Sequence, residues 1–209
     1  MEDLIGDSIT VKKGTKTVSK TGQQTGSTLH GARVVALYFA AHWAPPCRAF
    51  TEMLAAFYIE QNVRNEKGCF EVILISDDKT HKAYEAHFAQ MPWVALPFQE
   101  TQRKDEIKKL FGVNGIPALV VLGYPDCLVI TDDGVGSILT RGNGAWNDWE
   151  YELARVRARK RDTVEEFQAQ ALVRQMIDYS VNGDGTKPIS LHSSQEFMIE
   201  QTSTLSEVQ

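Results

Sequence analysis

The chain has 209 residues, with 22 Lys plus Arg against 27 Asp plus Glu and a formal net charge of −5. That length suits one domain with appendages, and a composition 43% hydrophobic and 23% charged excludes wholesale disorder and collagen-like repeats. The mild acidity argues against a nucleic-acid binder; no apolar run is long enough to span a bilayer, and the N-terminus lacks the pattern of a secretory leader, so an intracellular, cytoplasmic protein without membrane attachment is expected.

Taken in chain order, residues 1–30 carry one apolar-alternating stretch (Leu4, Ile5, Ile9, Val11) and then a run of Lys, Thr, Gly and Gln from Lys12 to Thr28. This predicts an edge strand or hairpin followed by an exposed loop. Residues 32–41 (ARVVALYFAA) form a nearly continuous apolar run, the pattern of a strand buried on both faces. After Pro45 and Pro46, apolar residues at Phe50, Met53, Leu54, Phe57 and Tyr58 share one helical face, with Pro46 in the first turn, where a missing N–H costs little. A second buried strand is expected over 70–76 (FEVILIS) and an amphipathic helix around 79–90, so the two strands form a parallel pair with a right-handed crossover. Residues 103–111 read as a short helix ended by Gly112. Residues 113–122 read as a strand with Pro117 at its start, 127–131 as its hairpin partner, 132–134 as a turn and 138–140 as a little more extended chain. Residues 147–178 are helix-prone, and beyond Tyr179 a Ser-, Thr-, Gly- and Gln-rich tail with no packed structure is expected. The resulting organisation is 1–30, a domain over 31–150, a helical extension over 151–179 and a tail over 180–209.

The three cysteines, Cys47, Cys69 and Cys127, have no paired short spacing, and the histidines show no metal-ligand spacing, so neither a disulfide framework nor a metal site is expected, and no cofactor is implied. Residues 178–189 begin like a calcium loop but place Ile189 where a bidentate glutamate is needed. The basic run from Arg155 to Arg161 is flanked by glutamates and reads as a solvated helix surface.

The informative segment is His42-Trp43-Ala44-Pro45-Pro46-Cys47-Arg48, between the first buried strand and the helix after it. Apart from Ala44 it resembles the Trp-Cys-Pro-Pro-Cys-Arg active site of tryparedoxins and nucleoredoxins, a branch of the thioredoxin superfamily. MPWVALPF (91–98), FGVNGIPALVVL (111–122) and, more loosely, GAWNDW (144–149) follow in the order that branch shows. The resemblance covers roughly residues 32–150. It implies an α/β thioredoxin fold, a central mixed sheet flanked by helices, here with a C-terminal helical extension. It also implies a cis bond at Ile116-Pro117, and a protein-disulfide reductase acting on peroxiredoxin-type proteins and recharged by a dithiol reductant such as trypanothione or glutathione. By resemblance, the site comprises the positions of Ala44 and Cys47, with Trp43, Pro45, Pro46, Ile116 and Pro117 around the substrate, while Cys69 and Cys127 fall at the opposite pole of the sheet.

The motif has a physical reason. A thiol at a helix N-terminus meets the positive end of the macrodipole and unpaired N–H groups, which favour the reactive thiolate. Of two cysteines spaced by two residues, the first attacks a substrate disulfide and the second releases the reduced product. Ala44 supplies neither nucleophile nor disulfide partner, so dithiol turnover is disabled, and Cys47 matches the resolving thiol. Two origins fit Ala44, an engineered substitution and natural divergence; His42, Arg141–Asn143 and the long C-terminal extension read as divergence. Two functions also remain: a disulfide-reductase lineage whose site has lost its nucleophile, and a redox-inactive module that holds an extended peptide around Trp43, Ala44, Ile116 and Pro117. Tyr38, six residues before Ala44, stands where ordinary thioredoxins keep a buried carboxylate and is expected to pack in the core.

Overall fold

The computed structural model describes residues 1–6, 9–13, 16–20, 28–65 and 69–182. In chain order the elements are α1 (Glu2–Ile5), β1 (Ile9–Lys13), β2 (Lys16–Lys20), β3 (Val34–Ala40), α2 (Pro45–Arg64), β4 (Phe70–Ser76) and α3 (His81–Phe88). They continue with β5 (Val94–Ala95), α4 (Thr101–Leu110), β6 (Ala118–Gly123), β7 (Val129–Thr131), α5 (Gly134–Arg141) and α6 (Gly144–Asn182).

Every residue of β3 is buried, because side chains alternate between two covered faces. Val34, Ala36, Tyr38 and Ala40 enter one core cluster, with Phe50, Leu54 and Phe57 of α2 and Trp146, Trp149 and Leu153 of α6. Val35, Leu37 and Phe39 enter the other, with Ile5 of α1 and Ile107 of α4. The seven strands order as β2-β1-β5-β4-β3-β6-β7. β3 lies parallel to β4 from Val34↔Phe70 to Ala40↔Ser76 and antiparallel to β6 from Val34↔Gly123 to Phe39↔Ala118. This mixed sheet with helices on both faces is the expected thioredoxin architecture, and the N-terminal hairpin joins it where Thr10 pairs with Ala95.

α2 buries Phe50, Leu54 and Phe57, whose rings and branches fill the space over β3 and β4. Phe57 meets Phe70 and Trp149 with ring centroids 5.7 and 5.3 Å apart, within the range of favourable edge-to-face contact. α4 ends in a Schellman motif: Gly112 has φ +63°, its N–H donates to Lys109 O and Val113 N–H donates to Lys108 O.

Several expectations are corrected. Residues 138–140 are not extended but lie in α5, because the Asp133 side chain accepts from Gly136 N–H and caps that helix. Leu4 and Ile5 belong to the short helix α1, so the first strand starts only at Ile9. The run read as a loop from Lys12 onward contains β2, and residues 21–27 of it lie outside the described residues. Met53 shares the α2 sequence pattern yet is exposed, while Tyr58 is half-buried. The hairpin return begins at Val129, since Cys127 takes a positive φ of 52° in the preceding turn. The C-terminal helix starts at Gly144, three residues earlier than the sequence predicts, and its first turns bury Trp146 and Trp149.

The chain divides into two compact units, Met1–Lys160 and a second beginning at Arg161. In the second, the described part is helical to Asn182, with Val164, Phe167, Leu172 and Val173 exposed. The expected tail falls almost entirely on 183–209, outside the described residues.

Candidate functional site

β3 and β4 run parallel, so their C-terminal ends lie side by side, the usual place for a site in such sheets. The motif leaves β3 there. Ala44 is the N-cap of α2, with extended φ −90° and ψ 112° and no side-chain cap, and Pro45 and Pro46 open the helix. Prolines carry no N–H, and the next N–H, that of Cys47, donates to Ala44 O at 3.1 Å. The helix start therefore offers fewer free donors than the motif's general logic supposes.

Ala44 is 5% exposed and Cys47 is fully buried beneath it. Burial pushes the Cys47 thiol above its ordinary value; the charges of Asp78 and Asp77 add to this, while a hydrogen bond with the Ala41 backbone and the charge of Arg48 oppose it. Cys47 is thus a covered, neutral thiol at pH 7. All three cysteines are free. Cys69 immediately precedes β4, whose Phe70 pairs with Val34 at the start of β3, so the seven residues of β3 put Cys69 about 20 Å from the motif. No bridge to Cys47 is possible over that span.

Trp43 is 56% exposed, whereas Trp93, Trp146 and Trp149 are each 2% exposed. Its indole N–H donates to Asp77 O at 3.2 Å, which ties the ring to the segment after β4, and Lys79 Nζ lies 5.8 Å from its ring centroid. Pro45 and Pro46 are exposed beside it. The Ile116-Pro117 bond is cis, as the resemblance implies. The Phe39↔Ala118 pair places Pro117 and Ile116 alongside the end of β3, next to the motif, and both are half-buried. The structure therefore brings Trp43, Ala44, Pro45, Pro46, Cys47, Ile116 and Pro117 together at one end of the central strands.

Tyr38 is buried directly below. Its hydroxyl donates to Cys47 O at 3.1 Å and lies 2.9 Å from Thr51 Oγ1, which itself donates to Cys47 O at 2.8 Å. Burial drives its pKa further up, so Tyr38 braces the first turn of α2 and is no proton acceptor.

Sequence reasoning missed the second half of the site, which β4 supplies. Asp77 N–H donates to Ala40 O at 2.9 Å, and its carboxylate is held by Lys108 Nζ at 2.7 Å and Lys104 Nζ at 3.4 Å. The Asp78 side chain is fully buried; it accepts from His42 N–H and Ser76 Oγ, both at 2.9 Å, and meets His87 Nδ1 at 3.0 Å. Burial alone pushes the Asp78 carboxyl up, but the bonds from His87, His42 and Ser76 outweigh it and hold the group below the usual carboxylate range. His87 is 2% exposed, and its Nε2 has no hydrogen-bond partner among the described residues. Arg48 Nη1 donates to His42 O at 2.7 Å and closes the frame from the helix side. The signal in the sequence is an Asp-Asp pair directly after a buried strand parallel to the motif-bearing one. Among the described residues no group of three or more His, Cys, Asp or Glu side chains is arranged to hold a metal ion, and no helix is long and apolar enough to cross a membrane.

Comparison with known proteins agrees with this geometry. A family described as thioredoxin-like matches residues 31–129. Tryparedoxin of Trypanosoma brucei brucei is 36% identical over 135 residues, covering 65% of this chain and 91% of that protein. The solved tryparedoxin from Trypanosoma brucei superposes with a TM-score of 0.59 at 32% identity, covering 70% of this chain and 95% of that one. A tryparedoxin II solved in complex with glutathionylspermidine gives 0.54 at 32% identity, covering 64% and 85%. Nucleoredoxins of Arabidopsis thaliana, Oryza sativa subsp. japonica and Xenopus laevis, 37 to 39% identical, are longer, and the chain spans 21, 31 and 27% of their lengths. The chain belongs to the thioredoxin-like oxidoreductase family of tryparedoxins and nucleoredoxins.

Proposed function

We propose that this chain comes from a lineage of cytoplasmic reductases of protein disulfides, that Ala44 disables dithiol turnover in it, and that its active-site face holds an extended peptide segment without thiol exchange. The carrying observation is Ala44 at the N-cap of α2, with Cys47 fully buried in the turn that follows. Reduction of a substrate disulfide takes two electrons: one thiolate attacks, forming a mixed disulfide and releasing a thiolate, and a second thiol must displace the other half while the pair is oxidised. Ala44 cannot attack, and Cys47 is covered and kept protonated by its surroundings. An intact relative would be recharged by a dithiol such as trypanothione, or by glutathione, and would act on peroxiredoxin-type substrates. Trp43, Pro45, Pro46, Ile116 and Pro117 remain assembled as a surface for such a segment.

The test is disulfide reduction with a dithiol donor, comparing the chain with Ala44→Cys. The unmodified chain is expected to be silent and the variant to turn over. Turnover by the unmodified chain overturns the proposal. In parallel, Cys47 is expected to react with a thiol reagent at neutral pH only once the protein unfolds; rapid labelling of the folded protein points instead to a monothiol redox role.

A further inference from the structure

The charge around Trp43 has the opposite sign to the protein as a whole. The chain carries a net −5, yet two cations flank the motif, Arg48 bonded to His42 O and Lys79 against the Trp43 ring, beside the acids Asp77 and Asp78. Neither acid is free to offset them. Asp78 is buried with its oxygens committed to His42, Ser76 and His87, and Asp77 is shared between two lysines. Along α2 the next acid, Glu52, lies a full turn beyond Arg48. Because Pro45 and Pro46 remove the helix's leading N–H groups, an anion here is met by side-chain cations and not by the backbone.

We propose, building on the peptide-holding reading above, that this face selects an extended segment of a partner protein in which apolar and acidic residues alternate. An extended chain advances about 3.3 Å per residue and points successive side chains to opposite sides. One set then lies on the apolar strip made by the exposed Trp43 ring, Pro45 and the half-buried Ile116, and the other turns to the cations at its rim. Lys79 is the specificity-determining residue. It is exposed and its ammonium sits against the Trp43 ring, so a carboxylate on a segment crossing that ring meets it at once. Opposite charge at such a rim governs which partner binds and how fast. A segment rich in lysine meets Arg48 and Lys79 and is rejected.

The experiment uses the full chain and three blocked peptides of equal length, alternating Val with Glu, Lys or Ser. Binding is read by calorimetry and by protection of Trp43, the one exposed indole among the described tryptophans, from iodide quenching. The Val-Glu peptide is expected to bind about tenfold or more tighter than the Val-Lys peptide, with the advantage shrinking as salt is raised. Lys79→Glu is expected to weaken the Val-Glu peptide about tenfold and to strengthen the Val-Lys peptide. Equal affinities for all three peptides, or no response to Lys79→Glu, overturn the charge inference while leaving peptide holding intact. Failure of every peptide to bind or to protect Trp43 overturns both.

Discussion

Removing the Asp78 carboxylate tests whether the β4 end holds the motif in place. Its three partners are His42 N–H and Ser76 Oγ at 2.9 Å and His87 Nδ1 at 3.0 Å. A hydrogen bond to a charged group contributes about 1.5–3 kcal/mol, and breaking a buried pair from one side costs about 3–5 kcal/mol. The His42 donor is a backbone N–H that cannot reorient, and the His87 ring is 2% exposed with its other nitrogen lacking a partner among the described residues, so neither bond is readily replaced. Asp78→Ala is therefore expected to lose about 3–4 kcal/mol in denaturant unfolding at neutral pH. Asp78→Asn keeps an acceptor for His42 N–H and is expected to lose about 1–2 kcal/mol. The pH arm has a definite sign. The folded-state pKa of Asp78 is lowered, so its contribution is present above the unfolded value of about 3.9 and is lost as pH falls through the folded one; the gap between wild type and Asp78→Asn then closes in acid. A loss below about 1 kcal/mol for Asp78→Ala, with a gap that ignores pH, would refute the reasoning, because bonds of this kind would then be exchanged for water at no cost.

Three further substitutions probe the scaffold. Burial raises the Glu71 carboxyl to about 7, against the lowering effect of hydrogen bonds with Val72 N–H and Tyr58 OH, so the fold prefers the protonated form. Stability tied to Glu71 is full below its unfolded pKa and lost as pH rises through about 7. Glu71→Gln is accordingly expected to stabilise by about 1–2 kcal/mol at alkaline pH and by nothing in mild acid, and thermal unfolding at both pH values that shows the same shift counts against this. Gly134→Ala would place a Cβ 2.7 Å from Leu119 O and 2.8 Å from Val121 Cγ2, which forces α5 off β6 and is expected to cost about 1–3 kcal/mol. Gly144→Ala, whose Cβ would meet nothing nearer than Arg141 Cβ at 3.9 Å, is expected to be neutral or slightly stabilising; a Gly134→Ala protein as stable as Gly144→Ala contradicts the close contact.

The parts of the fold legible in the sequence are those that local pattern determines. Residues 34–40 and 70–76 read as buried strands because both faces of each are covered, and Phe50, Leu54 and Phe57 read as one helical face because nothing else in the segment competes. α5 escaped notice because Gly134 and Gly136 weaken its helical pattern. Gly134 is there for a close approach to Leu119 O, and the Asp133 side chain that caps the helix also lies within reach of any Cβ at 136. The site divides in the same way. Ala44, Cys47, Trp43, Pro45 and Pro46 lie within five residues, so the proposed loss of the nucleophile rests on one letter of the sequence. Asp77, Asp78, Lys79, His87, Lys104 and Lys108 come from three other stretches, and only the Ala40↔Ser76 pairing and the packing of α3 and α4 bring them to the motif. The proposed loss of turnover thus rests on residues adjacent in sequence, whereas the proposed selectivity rests on charges that tertiary structure gathers. A substitution at Ala44 changes chemistry at one atom and leaves that gathered field intact, so the proposed loss of turnover and the proposed recognition are compatible in a single chain.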